Sequence, residues 1–422
     1  MSALPGPTES PILQTARWVA RPIRFLEDCR RRYGDVFSVM FQGFGTPLVM
    51  VSRPDVIRAL YGERRHLLPP GRKVTLAPLV GARSLLLLEG EEHMSRRKLM
   101  SPPFHGERMR TYEAVMRDAA ARELANWPVG RAFPVHPSMQ AITLDVIMRA
   151  VFGVQDRERL RPLLRDLLAG TTSMGLQVSV MFGRRGPLER LGEMAHEIDE
   201  LLLAEIARRR RGGGGEDICS LLVGARFDDG TGMDDREIRD QLMTLLIAGH
   251  ETTATGLAWS LDLLARHPAV MERARDGGEP YLRAVVSESL RLRPVVPLAG
   301  RRLVEDLSVD GVFLPAGTDV TPAIWLAHTR PQDYPDPYAF RPERFLDGAP
   351  PSFAWLPFGG GVRRCIGAAF AELEMRVVLD EVLSRFDVRA ASRRPERVAR
   401  RNVTFSPRHG TRVVVTRRHS SN

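Results

Sequence analysis

Apolar residues change their spacing along the chain. In "DVFSVMF" (35–41) they alternate with polar ones, "PLVMVS" (47–52) is a short apolar run, and a glycine-rich turn separates the two. This predicts a β-hairpin, followed by a short helix from about Pro54. From Glu89 onward the apolar positions recur every three to four residues. That period, with the end signals around it, predicts helices over roughly 89–100, 107–127, 138–152, 157–170, 188–211, 234–266, 281–292 and 367–386. Between the last two, "LSVDGVFLPAGTDVTPA" (307–323) alternates and turns like a small sheet, and "VTFSPRHGTRVVVT" (403–416) reads as one more hairpin. The expected fold is mainly α with small β-sheets, a single compact domain over 1–422, its β-rich portion roughly 35–52 and 307–323. "RRRRGGGGED" (208–217) is the most linker-like segment, and it reads as a solvated helix end and flexible loop rather than a domain boundary. There are no internal repeats.

Composition narrows the function classes. Hydrophobic residues are 43% and charged residues 27% of the 422, the balance of a soluble globular chain that can bury a substantial core. No stretch approaches the roughly 18 uninterrupted apolar residues of a membrane helix. The opening "MSALPGPTESPILQTARWVARP" lacks the basic-then-apolar layout of a secretory signal. The expectation is a cytoplasmic protein without a membrane anchor. Formal charge is +10, and 59 of the 61 basic residues are arginine, Lys73 and Lys98 being the exceptions. The arginines are scattered and aromatics are 7%, which predicts a basic face for an acidic protein partner and no nucleic acid. Three cysteines, Cys29, Cys219 and Cys365, include no CxxC pair. That argues against a disulfide framework and a cysteine-rich zinc site. Cys29 and Cys219 lie in helical runs and are expected as buried thiols.

Three constellations carry candidate chemistry. The helix over 234–266 opens on Asp234 and Glu237, a capping-box spacing. Its middle, "LLIAGHETTATGLAW" (245–259), places Gly249, Glu251, Thr252, Thr253 and Thr255 inside apolar sequence. Gly249 costs about 1 kcal/mol relative to alanine, and threonine hydroxyls compete for i−4 carbonyls. Two readings stand here: close helix packing with Glu251 turned to water, or a kinked groove where an acid and an alcohol relay protons to a ligand. The second constellation is "ESLR" (288–291) with Arg344 of "FRPERF" (340–345), an acid and two arginines able to lock a proline-punctuated loop to a helix if buried and fully hydrogen-bonded. The third is "PFGGGVRRCIGAAFAELEMRVVL" (357–379). Its glycines permit close backbone approach to a flat ligand, and helix onset just after Cys365 aims N–H groups at the sulfur, favouring thiolate. A phosphate loop is excluded, since GxGxxG is incomplete and no GKS or GKT follows. A lone thiolate does not suit zinc but does suit the axial position of a haem iron.

The order "AGHETT", "ESLR", "PERF", "FGGGVRRCIG" resembles the haem-thiolate monooxygenases of the cytochrome P450 superfamily, from the first hairpin to the last. The resemblance implies that Cys365 ligates iron, with Phe358 packed beside it and Gly367 next to it in the haem-binding loop. It implies an oxygen-binding groove at Ala248, Gly249, Glu251 and Thr252, with Glu251 and Thr252 catalytic. Glu288, Arg291 and Arg344 match the structural triad. His93, Arg97, Arg301 and Arg363 match the basic residues that hold haem propionates. The chain departs from the family between 266 and 281, where about a dozen residues are missing and a helix is expected to be shortened or absent, leaving the surface around 271–280 open.

What the resemblance implies for function is monooxygenation on haem b. Electrons derive from NAD(P)H and arrive through a separate ferredoxin or flavodoxin with its reductase, since the chain carries no segment for flavin, NAD(P)H or iron–sulfur. Arg96, Lys98, Arg108, Arg110 and Arg364 would form the docking face of a monomer. The substrate is expected to be a lipophilic small molecule of terpenoid, fatty-acid or polyketide class, lined by Leu245, Ala248, Val295, Val296, Leu298 and Phe405, and by the loops 67–88 and 171–182. Arg72 and Lys73 read as solvated loop charges. A peroxide-driven peroxygenase and a non-catalytic haem sensor or carrier are the alternatives.

Overall fold

The computed structural model describes residues 4–62, 80–152, 157–172, 186–212, 214–346, 348, 351–401 and 403–418. The expected lining segments 67–79 and 173–182, with Arg72 and Lys73, lie outside them. In chain order the elements are α1 (Pro11–Ala20), α2 (Pro22–Tyr33), β1 (Val36–Val39), β2 (Leu48–Val51), α3 (Pro54–Leu60), α4 (Gly90–Met100), α5 (Arg108–Leu124) and β3 (Phe133–Pro134). Then come α6 (His136–Ile147), α7 (Arg157–Thr172), α8 (Gly186–Arg210), α9 (Ile218–Gly224), α10 (Asp235–Arg266), α11 (Pro268–Asp276) and α12 (Gly278–Leu292). The last are β4 (Arg301–Arg302), β5 (Leu307–Val309), β6 (Val312–Leu314), β7 (Asp319–Pro322), α13 (Ile324–His328), α14 (Ala368–Arg385), β8 (Phe386–Ala390), β9 (Val398–Arg401), β10 (Thr404–Pro407) and β11 (Arg412–Arg417).

Every helix predicted from apolar spacing is present. Five helices lie outside the predicted ranges: α1, α2, α9, α11 and α13. Of these, α1, α2 and α11 begin with proline in the first turn, where its fixed φ and missing N–H cost nothing. α11 is the short helix of the abbreviated segment. It has nine residues and hands over to α12 through Gly277 and Gly278.

The β-sheet joins distant parts of the chain, in the order β1-β2-β7-β4. β2 pairs in parallel with β7, Leu48 opposite Asp319, so the N-terminal hairpin is stitched to the segment just before α13. The C-terminal hairpin expected over 403–416 does not form. β10 pairs with β9, Thr404 opposite Arg401, while β11 pairs with β8 and β3. Pro407 lacks an N–H for a continuing ladder, and Gly410 and Thr411 turn through φ of +73° and +53°, which carries the chain into the other sheet.

The largest apolar cluster surrounds α10, whose neighbours α6, α12 and α14 bury most of its length. Asp234 caps it, accepting from the Glu237 N–H (2.8 Å). The reciprocal half of the capping box is absent, because the Glu237 carboxylate accepts from Arg96 Nε (2.8 Å) instead. The linker-like arginines are not all solvated either. Arg209 is buried between Glu205 (2.7 Å) and Asp217 (2.9 Å), tying the end of α8 to the start of α9.

Candidate functional site

The cysteine loop is shaped by its glycines in two ways. Gly359 and Gly361 have φ of +68° and +61°, the left-handed region where a side chain is strained. Gly360 instead makes room: a Cβ there would stand 2.8 Å from the Tyr61 ring. The backbone that was expected to approach a flat ligand therefore approaches a tyrosine at this position. The Cys365 N–H donates to the Phe358 carbonyl (2.9 Å) and closes the loop. Phe358 meets Trp355 edge-on at 6.1 Å, and the Trp355 indole N–H donates to the Ser287 carbonyl on α12 (3.2 Å).

The Cys365 side chain is solvent-accessible, yet enough protein surrounds it for lost hydration to push its thiol pKa up. Together these place the sulfur on the floor of a concavity. The Gly367 N–H bonded to it, Arg97 and Arg364 act in the opposite direction, but burial prevails. The thiolate expected from helix onset is thus not secured by the protein alone. A metal cation held at the sulfur would secure it, because a coordinating thiol loses its proton.

Around the sulfur stand three arginines and a buried histidine with few acidic neighbours among the described residues. His93 is buried with Nδ1 unpartnered, and burial together with Arg363, Arg97 and Arg301 pulls its pKa down to about 4. Arg363 is pulled down to about 10, by burial first and then by Arg301 and Arg97. Its Nε has no partner, and its other nitrogens donate to the Leu85 and Leu88 carbonyls (3.4 and 2.5 Å). Arg301 is buried, donates to the Gly300 carbonyl (2.8 Å), and lies 5.5 Å from the centre of the Tyr61 ring. Arg97 feels both Cys365 and Arg364. Among the described residues, the carboxylate that acts on this group is Glu89, through Arg363. Three mutually repelling arginines and a neutral histidine, with orphaned polar atoms on His93 and Arg363, beside one accessible sulfur fit an iron porphyrin with two propionates.

α10 runs unbroken through the "AGHETT" stretch. The Thr252 hydroxyl donates to the Ala248 carbonyl (2.6 Å), the i−4 contact anticipated for these threonines. Ala248 is exposed and Gly249 and Thr252 are half-buried, in a helix otherwise largely enclosed. Glu251 does not turn to water. It accepts from Gln140 Nε2 (2.6 Å) and from Thr255 Oγ1 (3.4 Å), with His136 Nε2 3.6 Å away, and burial raises its pKa. The acid and the alcohol thus take separate partners. Leu245 and Val295 are buried, and Val296 and Leu298 half-buried. Phe405 departs from expectation: its ring packs on Trp18 (5.8 Å) in the N-terminal aromatic cluster, although its N–H donates to the Val295 carbonyl (2.7 Å).

Behind the loop, Glu288 and Arg291 are fully buried and joined by two bonds, Nε to Oε2 (2.6 Å) and a terminal nitrogen to Oε1 (2.7 Å). Arg291 also donates to the carbonyls of His328 (2.8 Å), Pro337 (2.7 Å) and Ala339 (3.2 Å). Arg344 reaches Glu288 at 3.4 Å. Sequence reasoning missed His328, which completes the link. Its Nδ1–H donates to the Arg291 carbonyl (3.0 Å) and its Nε2 accepts the Leu356 N–H (2.7 Å), two residues before Phe358. A lone histidine in "AIWLAHTR" carries no signal of this. Gln140 and Tyr61 were also missed, for the same reason.

Burial holds His136 and His250 down to about 4 and His328 to about 3, against an ordinary 6.5. Folded, they stay neutral. Unfolded, they take up protons below 6.5, so their contribution is complete above that pH and is lost as the pH falls towards 4. Each should remove up to about 1.4 kcal/mol per pH unit in that window. Urea unfolding at pH 7 and pH 5 checks this; equal midpoints would contradict it.

On the expected docking face Arg108, Arg110 and Arg364 are exposed. Lys98 is exposed and pairs with Asp228 (2.8 Å). Arg96 is not free, being half-buried against Glu237.

The family model described as Cytochrome P450 matches residues 4–411. A Mycobacterium tuberculosis protein named as cytochrome P450 135B1 is 41% identical across 98% of this chain and 92% of its own length. Another from that organism, named as cytochrome P450 137, is 38% identical across 91% of this chain and 83% of its own. Among solved structures, cyanobacterial CYP120A1 with bound retinoic acid superposes with a TM-score of 0.83 at 27% identity, covering 99% of both chains. The heme domain of cytochrome P450DA shares the fold, with a TM-score of 0.87 at 24% identity over 99% of this chain and 98% of that one. No helix among the described residues is long and apolar enough to cross a membrane.

Proposed function

The chain belongs to the cytochrome P450 family, and from that premise we propose a monooxygenase that inserts one atom of dioxygen into a lipophilic small molecule, by hydroxylation or epoxidation. The observation that carries this is the accessible Cys365 sulfur framed by His93 and three arginines that have few acidic partners among the described residues. Cys365 would hold the iron of haem b, and His93, Arg97, Arg301 and Arg363 its propionates. When bound, the haem supplies dioxygen activation, which a thiolate ligand promotes.

The remaining chemistry falls to this chain's side chains. The Gly367 N–H and Arg97 disperse charge on the sulfur. Thr252 Oγ1 holds a proton for delivery from the exposed stretch of α10 and is pinned meanwhile by the Ala248 carbonyl. Glu251, whose burial favours the protonated form while the Gln140 amide opposes it, is the acid placed one residue from Thr252 to take up and pass on protons. Leu245, Ala248, Val295 and Val296 present a mostly apolar lining, which supports a terpenoid, fatty-acid or polyketide substrate. The relative with bound retinoic acid, a lipophilic carboxylic acid, supports the same class. Electrons come from NAD(P)H by way of a ferredoxin or flavodoxin docked on the exposed Arg108, Arg110 and Arg364.

Turnover with a surrogate ferredoxin and reductase, on compounds first chosen by substrate-induced spectral shifts, tests this reading. Absence of any oxygenated product across lipophilic panels that do shift the spectrum would overturn it. Thr252→Ala should bind haem and the same compounds as well as wild type. Its product per NAD(P)H should fall roughly 10²-fold, the scale of a lost general-acid contribution, with hydrogen peroxide released instead. Unchanged coupling would remove Thr252 from the proton path.

A further inference from the structure

The N-terminal helix wears its side chains the wrong way round for a water-facing surface. On α1 the exposed positions are Ile12 (66%), Leu13 (48%) and Val19 (50%), with Ala16 and Ala20. They fall at 12, 13, 16, 19 and 20, one continuous helical stripe, and no polar side chain of α1 is among them. The buried side holds Trp18 and Gln14. The Gln14 amide donates to the Pro7 and Glu9 carbonyls (3.3 and 2.8 Å) and accepts from the Met40 N–H (2.9 Å). Three of the ten large hydrophobic residues exposed among the described residues sit on this one helix.

The apolar stripe has a cationic border. A groove of about 450 Å³ between α1 and α2 runs from Ala16, Ala20 and Phe25 to Arg21, Arg24 and Asp28. The nearby acids are already engaged: Arg17 pairs with Glu9 (2.7 Å) and Asp28 (3.3 Å), and Arg31 with Asp28 (2.5 Å). Arg21, Arg24 and Arg32 are exposed, and Arg24 has only a 3.9 Å approach to Asp28. An apolar face edged by unneutralised guanidinium groups matches an interface that is apolar within and anionic at its rim.

We propose that α1, with the arginines of α2, docks on the surface of an anionic phospholipid bilayer. Ile12, Leu13 and Val19 enter the boundary between headgroups and acyl chains, and Arg21 and Arg24 meet lipid phosphates. The protein lies on the membrane and does not span it.

Flotation of the full haem-loaded protein with vesicles of phosphatidylglycerol and phosphatidylcholine tests the proposal, against vesicles of phosphatidylcholine alone. Binding should require the anionic lipid and weaken with added salt. Arg21→Gln/Arg24→Gln should lower the partition coefficient roughly thirtyfold, on the scale of about fivefold per surface arginine. Ile12→Glu/Val19→Glu should reduce it to background. These side chains are exposed, and an unchanged visible spectrum and circular dichroism confirm folding. No binding to anionic vesicles, or binding that neither double variant alters, would overturn the proposal. So would a concentration-dependent dimer by light scattering that Ile12→Glu/Val19→Glu dissolves, because the stripe would then belong to a second copy.

Discussion

Arg291→Ala yields little folded, pigmented protein. Arg291 and Glu288 are both 0% exposed, and the guanidinium serves two carboxylate oxygens and three backbone carbonyls. Its removal leaves a buried carboxylate with the Arg341 N–H (2.9 Å) and a distant Arg344, and takes a donor from each of those carbonyls. Breaking a buried pair from one side costs about 3–5 kcal/mol, against a total stability of about 5–15 kcal/mol. Lysine will not rescue it, since a point charge cannot reproduce the two-pronged contact. Arg344→Ala, which loses a long bond to Glu288 (3.4 Å) and one to the Asp336 carbonyl (2.8 Å), should cost about 1–2 kcal/mol. Soluble yield, haem content and denaturant midpoint read the series. A wild-type midpoint in Arg291→Ala would show that this network does not support the loop.

Cys365→Ser separates fold from chemistry. The side chain is accessible, so the substitution opens no cavity and the denaturant midpoint should hold within about 0.5 kcal/mol. Serine offers a harder oxygen with a far more tightly held proton, a poor match for the soft ligand this position supplies. The dithionite-reduced carbon monoxide complex should lose its strongly red-displaced Soret maximum, and monooxygenation should fall to background. A variant that keeps that band and turns over would show that the iron is held by another residue.

Helices were legible where the burying surface lies along one face of a continuous segment, as in α10 and α14. They were missed in α1, where the stripe points outward, and in α11 and α13, which are too short for a period to repeat. Strand partners were illegible, because the pairing of β2 with β7 or of β11 with β8 depends on where intervening helices deliver each strand. The site divides in the same way. Cys365, Glu288 and Arg291 sit in local motifs and could be read. His328, Tyr61 and Gln140 reach the site only through tertiary contact, and nothing in their neighbours announces it. The balance at Cys365 was legible only in part: local sequence displays the N–H groups that favour a thiolate, but not the crowd of atoms that opposes it. Phe405 likewise lies near Val295 by its backbone while its ring belongs to another cluster.

The crowding of Arg97, Arg301 and Arg363 around the neutral His93 has a consequence for production of the protein. A dianionic partner would relieve their repulsion, so the free energy of taking up that partner becomes free energy of folding. Cells starved of iron or porphyrin precursor should therefore accumulate this polypeptide mainly as aggregate or degradation fragments, and feeding aminolaevulinate during expression should raise soluble yield as much as it raises colour.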